Sequence, residues 1–306
     1  MARRPALLAL AAILLASCAQ SGHAPPSNAP QLFVDCRGTP SAAPTVILES
    51  GAFGSAADWD LVLDDLAKGG RACAYDRAGI GRSPPRTGGP GVTAIAIELK
   101  TLLDRLGERR PVILVGHSNG ALYAETFAAM WPDRVAGLVY VNGVNSDALD
   151  HPDLIQDLTV EGRWSQVAAL SGGVGLSGQV SKVLTDFSGF SGRAAERKRQ
   201  DLSDPDALRV ARDEDLAVIE GLSIARRLGG SPRSIPTAVV RGSTEPEAAL
   251  SKSWKAAEEA PAKRASRRLI IEAPNATHTS PLVRDRGYVV TAVNWLRDGA
   301  KPGDRP

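Results

Sequence analysis

The sequence predicts an α/β protein: a mostly parallel sheet with helices on both faces, interrupted by a helical insertion. Three observations predict it. Short continuous apolar runs at 45–49, 71–75, 112–115 and 135–141 read as strands buried on both sides. Helical spacing fills the gaps between them, as at Ile95, Leu99, Leu102, Leu103 and Leu106. The alternation breaks between Gly143 and Pro236, then resumes with strands at 237–241 and 268–271. Composition agrees, since 306 residues at 43% hydrophobic and 23% charged suit one large globular unit rather than a disordered chain.

In chain order, Arg3 and Arg4 precede an apolar run at 6–16 that is far short of the ~20 residues needed to span a bilayer. Residues 1–18 therefore read as a targeting segment, ending Leu15-Ala16-Ser17-Cys18. Residues 19–30 are rich in Ser, Ala, Pro and Gly and read as a flexible tether, which takes His23 out of any site. Strands follow at 31–36 and 45–49, then the loop Ser50-Gly51-Ala52-Phe53-Gly54-Ser55 and a helix at 58–66. Trp59, Leu63 and Leu66 share one face of that helix, which marks Trp59 as packing. After the 71–75 strand, Asp76-Arg77-Ala78-Gly79-Ile80-Gly81-Arg82-Ser83 lacks the Gly-Lys-Ser/Thr ending of a phosphate loop. A helix at 93–106 has Thr93 as its expected N-cap, and Gly107 closes it.

The insertion, residues 143–236, carries a glycine-rich patch at 172–178 and helical runs at 194–202 and 206–228. Leu208, Leu216, Ile219 and Leu222 are expected on one apolar face, and the Arg and Asp residues on solvated faces. Trp164, Leu170, Val174, Phe187 and Phe190 give this cap an apolar character. A helix at 247–259 and a closing helix at 288–297 complete the pattern. Formal charge is +2; without Arg3 and Arg4 the 36 basic residues fall to 34, against 34 acids. Such balance favours neither nucleic acid nor a strongly charged substrate. Cys36 and Cys73 either pair or are small buried hydrophobes; neither has a second ligand at metal spacing.

Chemistry concentrates at Gly116-His117-Ser118-Asn119-Gly120, between the 112–115 strand and a helix at 121–130 that Pro132 stops. This is a G-x-S-x-G nucleophile elbow in its strand–turn–helix setting. Glycines on both sides let the chain reverse within one residue and lift the Ser118 hydroxyl to a helix N-terminus. A serine needs a base, and the base needs an orienting acid. His117 is the variable elbow position, expected to point away, and His151 opens the cap. His278 follows the last strand and is the candidate base. Glu245, three residues past Gly242, is the candidate acid, with Glu247 and Asp147 as rivals; Asn142 is neutral and cannot do that work. Two backbone N–H groups must meet the oxyanion: that of Asn119, and that of Ala52 or Phe53. No metal or organic cofactor is implied.

These motifs, with Gly51-Ala52 and Cys73-Ala74-Tyr75-Asp76-Arg77-Ala78-Gly79-Ile80-Gly81-Arg82-Ser83, resemble the α/β-hydrolase superfamily over residues 31–297. The resemblance implies an α/β-hydrolase fold with its core at 31–142 and 237–300. It makes Asp76 and Arg77 structural. It also sets the strand holding Cys36 beside the one holding Cys73, which supports a disulfide. Glu49-Ser50 stands where the family usually has His, and Glu245 where Asp is commoner. The activity implied is cleavage of an apolar or small carboxylic ester through an acyl-enzyme. Thioesterase, C–C hydrolase, acyltransferase or perhydrolase chemistry uses the same triad, and a non-catalytic surface binding protein is the alternative of another class. Serine rather than Asp at the elbow argues against dehalogenase and epoxide hydrolase chemistry. Separately, Leu15–Cys18 resembles the bacterial lipobox, in which the cysteine is lipidated. That implies a membrane anchor at Cys18, and Ala19 after it points to the outer membrane.

Overall fold

The structure, a computed structural model, describes residues 30–173, 189–242 and 248–299. Cys18, tether residues 19–29, Val174, Phe187, Glu245 and Glu247 lie outside the described residues. Seven strands are β1 (Val34–Arg37), β2 (Val46–Glu49), β3 (Ala72–Tyr75), β4 (Val112–His117), β5 (Val135–Val141), β6 (Thr237–Gly242) and β7 (Arg268–Ala273). They form one sheet in the order β1-β3-β2-β4-β5-β6-β7. Only β1 runs antiparallel, against β3; the other neighbours are parallel. Helices follow as α1 (Asp60–Ala67), α2 (Val92–Arg105), α3 (Asn119–Met130), α4 (Pro152–Gly173), α5 (Gly192–Asp201), α6 (Pro205–Leu216), α7 (Val218–Arg227), α8 (Ala248–Arg264) and α9 (Gly287–Arg297).

The parallel strands are apolar throughout because both faces are covered. On β4, Val112 and Leu114 pack against α2 and α3 through Leu99, Leu103, Ala121 and Phe127. Ile113 and Val115 face the opposite layer, where α1 and α9 contribute Leu63, Leu66, Val289 and Val293. Fully burying one such side chain stabilises the fold by roughly 1.5–3 kcal/mol. At the sheet edge, Cys36 and Cys73 stand directly opposite in the β1–β3 pair and form a disulfide. It ties down the strand most easily lost, and closing that loop is worth roughly 3–4 kcal/mol in the chain-entropy view.

Between β5 and β6 lie α4 to α7. The last, α7, rests on the core helices, with Val218, Leu222 and Ala225 packed among Val92, Ile95 and Leu122, and Leu154 and Leu158 of α4 join the same cluster. Two sequence expectations change here. The 206–228 run is two helices, α6 ending at Leu216 and α7 starting at Val218, so its leucines do not share one face. Leu208 and Leu222 are buried, but Leu216 sits at the break and is 45% exposed. Thr93 does not cap α2; the helix begins one residue earlier, with Gly91 as N-cap and no side-chain cap bond. Among the described residues, no helix is long and apolar enough to cross a membrane.

Candidate active site

Strand β4 ends at His117 and α3 begins at Asn119, leaving Ser118 alone to make the turn. It does so at φ 54°, ψ −128°, a region costly for any residue with a Cβ, by about 1–3 kcal/mol. Three backbone bonds hold it there: Ser118 N–H donates to Val141 (3.1 Å), and its carbonyl accepts from Ala121 and Val144 (both 3.0 Å). The flanking glycines answer to particular obstacles. A Cβ on Gly116 would come within 2.5 Å of the Ala121 backbone, and one on Gly120 within 2.4 Å of the Glu49 carbonyl. Gly51 is equally constrained, since its Cβ would lie 2.8 Å from that of Ser118. Closeness to the serine explains a glycine that the motif alone left unexplained.

His278 sits in the loop after β7 and lines the same two cavities as Ser118. No hydrogen bond joins Ser118 Oγ to its ring; such bonds are often loose before substrate binds. Its main chain is pinned twice: the His278 carbonyl accepts from His117 Nε2 and from Asn142 Nδ2, both at 2.9 Å. A carbonyl only accepts, so His117 carries its proton on Nε2. His117 therefore does not point away, as the sequence suggested. It is buried, lines the cavity, and its ring lies 4.7 Å from that of His278 at a tilt of 48°. Burial pushes the His117 imidazole down to about 4, partly opposed by the bond to the His278 carbonyl. Desolvation, and secondly His117, also lower His278. That ring is itself exposed to the cleft, so solvent moderates the shift.

The loop after β2 lines the same cavity as Ser118. Gly54 N–H closes a turn onto the Gly51 carbonyl (3.2 Å), with Phe53 at φ 55°, and Ala52 and Phe53 line the cavity beside Ser118. Asn119 opens α3, so its N–H has no partner inside the helix. Beneath the loop lies buried Glu49, which accepts from Tyr75 Oη and from Arg77 Nη1. Asp76 supports the same region structurally, accepting from Ala56 N (2.8 Å) and Arg82 N (2.9 Å).

A family model described as "Alpha/beta hydrolase family" matches residues 46–292. The chain belongs to this family. A Stutzerimonas stutzeri protein whose name includes "carbamate hydrolase RutD" is 37% identical over 105 residues, 34% of this chain and 39% of that protein. The chain spans about two-fifths of the length of the curated relatives it matches. Among solved structures, an esterase from Thermogutta terrifontis is 23% identical with TM-score 0.66, over 88% of this chain and 94% of that one. An epoxide hydrolase from Vigna radiata is 16% identical with TM-score 0.71, over 89% and 96%. Those two likenesses speak for the fold alone.

The cavity of this hydrolase-family chain has a volume of about 200 Å³. Of the cap residues expected to make it apolar, Trp164, Leu170 and Phe190 are described. Trp164 and Phe190 line it, but Leu170 is 70% exposed to solvent. Several cap charges stay solvated as expected, Asp206 and Arg209 among them, but Lys198, Asp201, Glu214 and Asp215 are buried. Lys198 forms an ion pair with Asp58 (2.5 Å) and donates to the Phe53 carbonyl (3.2 Å). Asp201 accepts from Ser55 Oγ (2.7 Å), and Asp215 from Asn119 Nδ2 (2.9 Å). Nothing local signals these pairs, because each partner lies far away along the chain. Of the rival acids, Asp147 is committed to Arg264 at the rear of the cap. His151 precedes α4 and lines neither cavity. Among the described residues there is no group of three metal-ligating side chains.

Proposed function

We propose that the protein is a serine hydrolase that cleaves a carboxylic ester through an acyl-enzyme. The strained Ser118 turn, opening onto one cavity with His278, carries the reading. Ser118 Oγ attacks the ester carbonyl as its proton passes to His278 Nε2, and the N–H groups of Ala52 and Asn119 meet the oxyanion. Collapse expels the alcohol, which takes that proton. Water then gives a proton to His278 as it attacks the acyl group, and collapse breaks the bond to Ser118 Oγ, which takes the proton back from His278 as the carboxylic acid leaves. Desolvation and His117 favour the neutral form of the His278 ring, the form that can accept a proton. Glu245 is proposed as the orienting acid. Its support is positional: the chain leaves β6 at Gly242, where a Cβ would come within 2.4 Å of the Ala276 carbonyl, two residues before His278.

The relative's name also makes a carbamate a substrate to try, since its carbonyl reacts through the same tetrahedral route. Graded p-nitrophenyl esters and an aryl carbamate, with Ser118→Ala as control, test the reading. A fluorophosphonate probe is expected to label the wild type and not the variant. Absence of Ser118-dependent labelling and turnover would leave a binding protein instead. We also propose anchoring through a lipid on Cys18; the Cys36–Cys73 disulfide supports a place in the oxidising cell envelope. Loss of detergent-phase partitioning in Cys18→Ser tests that anchor.

A further inference from the structure

We infer that helix α6 of the cap, through the adjacent Glu214 and Asp215, positions both oxyanion donors. This rests on the serine-hydrolase reading of the site. The path on one side runs through Arg77. Glu214 Oε2 accepts from Arg77 Nε (2.9 Å), which fixes the plane of the guanidinium. Arg77 Nη1 then donates to the Ser50 carbonyl (2.6 Å) and to Glu49 Oε1 (2.9 Å), and Nη2 donates to the Gly51 carbonyl (2.9 Å). That last carbonyl belongs to the peptide whose N–H is the Ala52 donor. A peptide is planar and trans, so holding its oxygen on one side aims its N–H to the other. The cationic donor on the oxygen also polarises the N–H, as linked hydrogen bonds do.

On the other side, Asp215 Oδ1 accepts from Asn119 Nδ2 (2.9 Å), anchoring the residue that supplies the second donor. Arg77 and Glu214 are each 1% exposed, so water cannot replace either partner. Arg86 Nη2 donates to Glu214 Oε1 (2.9 Å) and Nε to Glu98 (3.0 Å), which braces the carboxylate from behind. The fork geometry is essential, since a lysine in place of Arg77 has one point charge for four differently placed acceptors. Two neighbouring acids on one cap helix thus reach both halves of the oxyanion site, and seating of the cap sets the geometry of that site.

The test uses the full chain with a p-nitrophenyl ester and an aryl trifluoromethyl ketone, whose carbonyl accepts Ser118 Oγ and leaves its oxygen in the oxyanion site. Deleting a donor outright costs ~10²–10³ in kcat, so misaiming one should cost less. Arg77→Lys and Glu214→Gln are expected to lower kcat about 10- to 100-fold with KM within about threefold, and to weaken the ketone in parallel. Asp215→Ala should lower kcat by about 10-fold, and Asp215→Asn, which keeps an oxygen for Asn119, should recover most of that loss. Variants that melt at lower temperature yet keep kcat and ketone affinity when folded would overturn the inference and leave a purely structural role. If Glu214→Gln fails to fold, the Asp215 pair decides alone, because it touches no buried arginine. A wild type lacking Ser118-dependent turnover would instead sink the underlying functional reading.

Discussion

Val112 to Val115 on β4 are buried, and so are Glu49, Arg77 and Glu214 where the cap meets the core, but the two regions hold together differently. The strand meets like with like: alternate side chains enter two apolar layers, and a swap of similar volume is tolerable there. Under the cap, each charge depends on a named opposite. Desolvation works to lower the Arg77 guanidinium, but Glu214 and then Glu49 outweigh it and hold it well above its ordinary value, so it stays cationic. Removing one member there leaves the others stranded in a dry place. The sheet is thus robust and the seam brittle, and the candidate site lies where they meet.

Breaking the elbow should have the largest effect. Ser118→Ala is expected to abolish ester turnover, by about 10⁴-fold or more in kcat, with the fold intact by circular dichroism. Activity surviving at the wild-type level would remove the elbow from the chemistry. Next comes the seam: Arg77→Met removes the cation between two buried carboxylates, leaving Glu49 only Tyr75 and Glu214 only Arg86, and should cost about 3–5 kcal/mol in urea unfolding. A cost under 1 kcal/mol would mean that seam and sheet are equally forgiving. The disulfide belongs to the sheet edge, away from the cavity, so the Cys36→Ser/Cys73→Ser double variant should lose roughly 3 kcal/mol of stability while kcat holds.

A subtler measurement concerns His117. Its folded value of about 4 lies below the unfolded 6.5, so its stabilisation is present above pH 6.5 and is lost as pH falls through about 4. His117→Gln keeps a donor for the His278 carbonyl but does not titrate. The wild type should therefore lose roughly 3 kcal/mol relative to this variant between pH 7 and pH 4. Parallel stability profiles would show that the imidazole does not carry this acid sensitivity. Smallest of all, Leu170→Ser on the exposed cap surface should shift stability by less than about 0.5 kcal/mol.

Much of this was open to a reader of the chain. The seven strands, the elbow with Ser118, and the placement of His278 after the last strand follow from apolar runs and turn chemistry, which act between residues close in sequence. His117 was misjudged because the direction of a side chain at the elbow depends on which loop lies above it. Here that loop is the one bearing His278, and only packing of β7 beside β6 brings it near. The helix boundary at Ala217 and the exposure of Leu216 escaped for a related reason: α7 turns away to rest on α2 and α3.

Sequence by itself determined the layered sheet, the elbow serine and its glycines, because steric limits and hydrophobic period are written into neighbouring residues. Tertiary structure alone decided that Arg77 would face Glu214, 137 positions away, and that Asp215 would reach Asn119, 96 away. A charge in a sequence carries its sign but not its partner. The partner is chosen only when distant helices settle against each other and exclude the water that would otherwise solvate both.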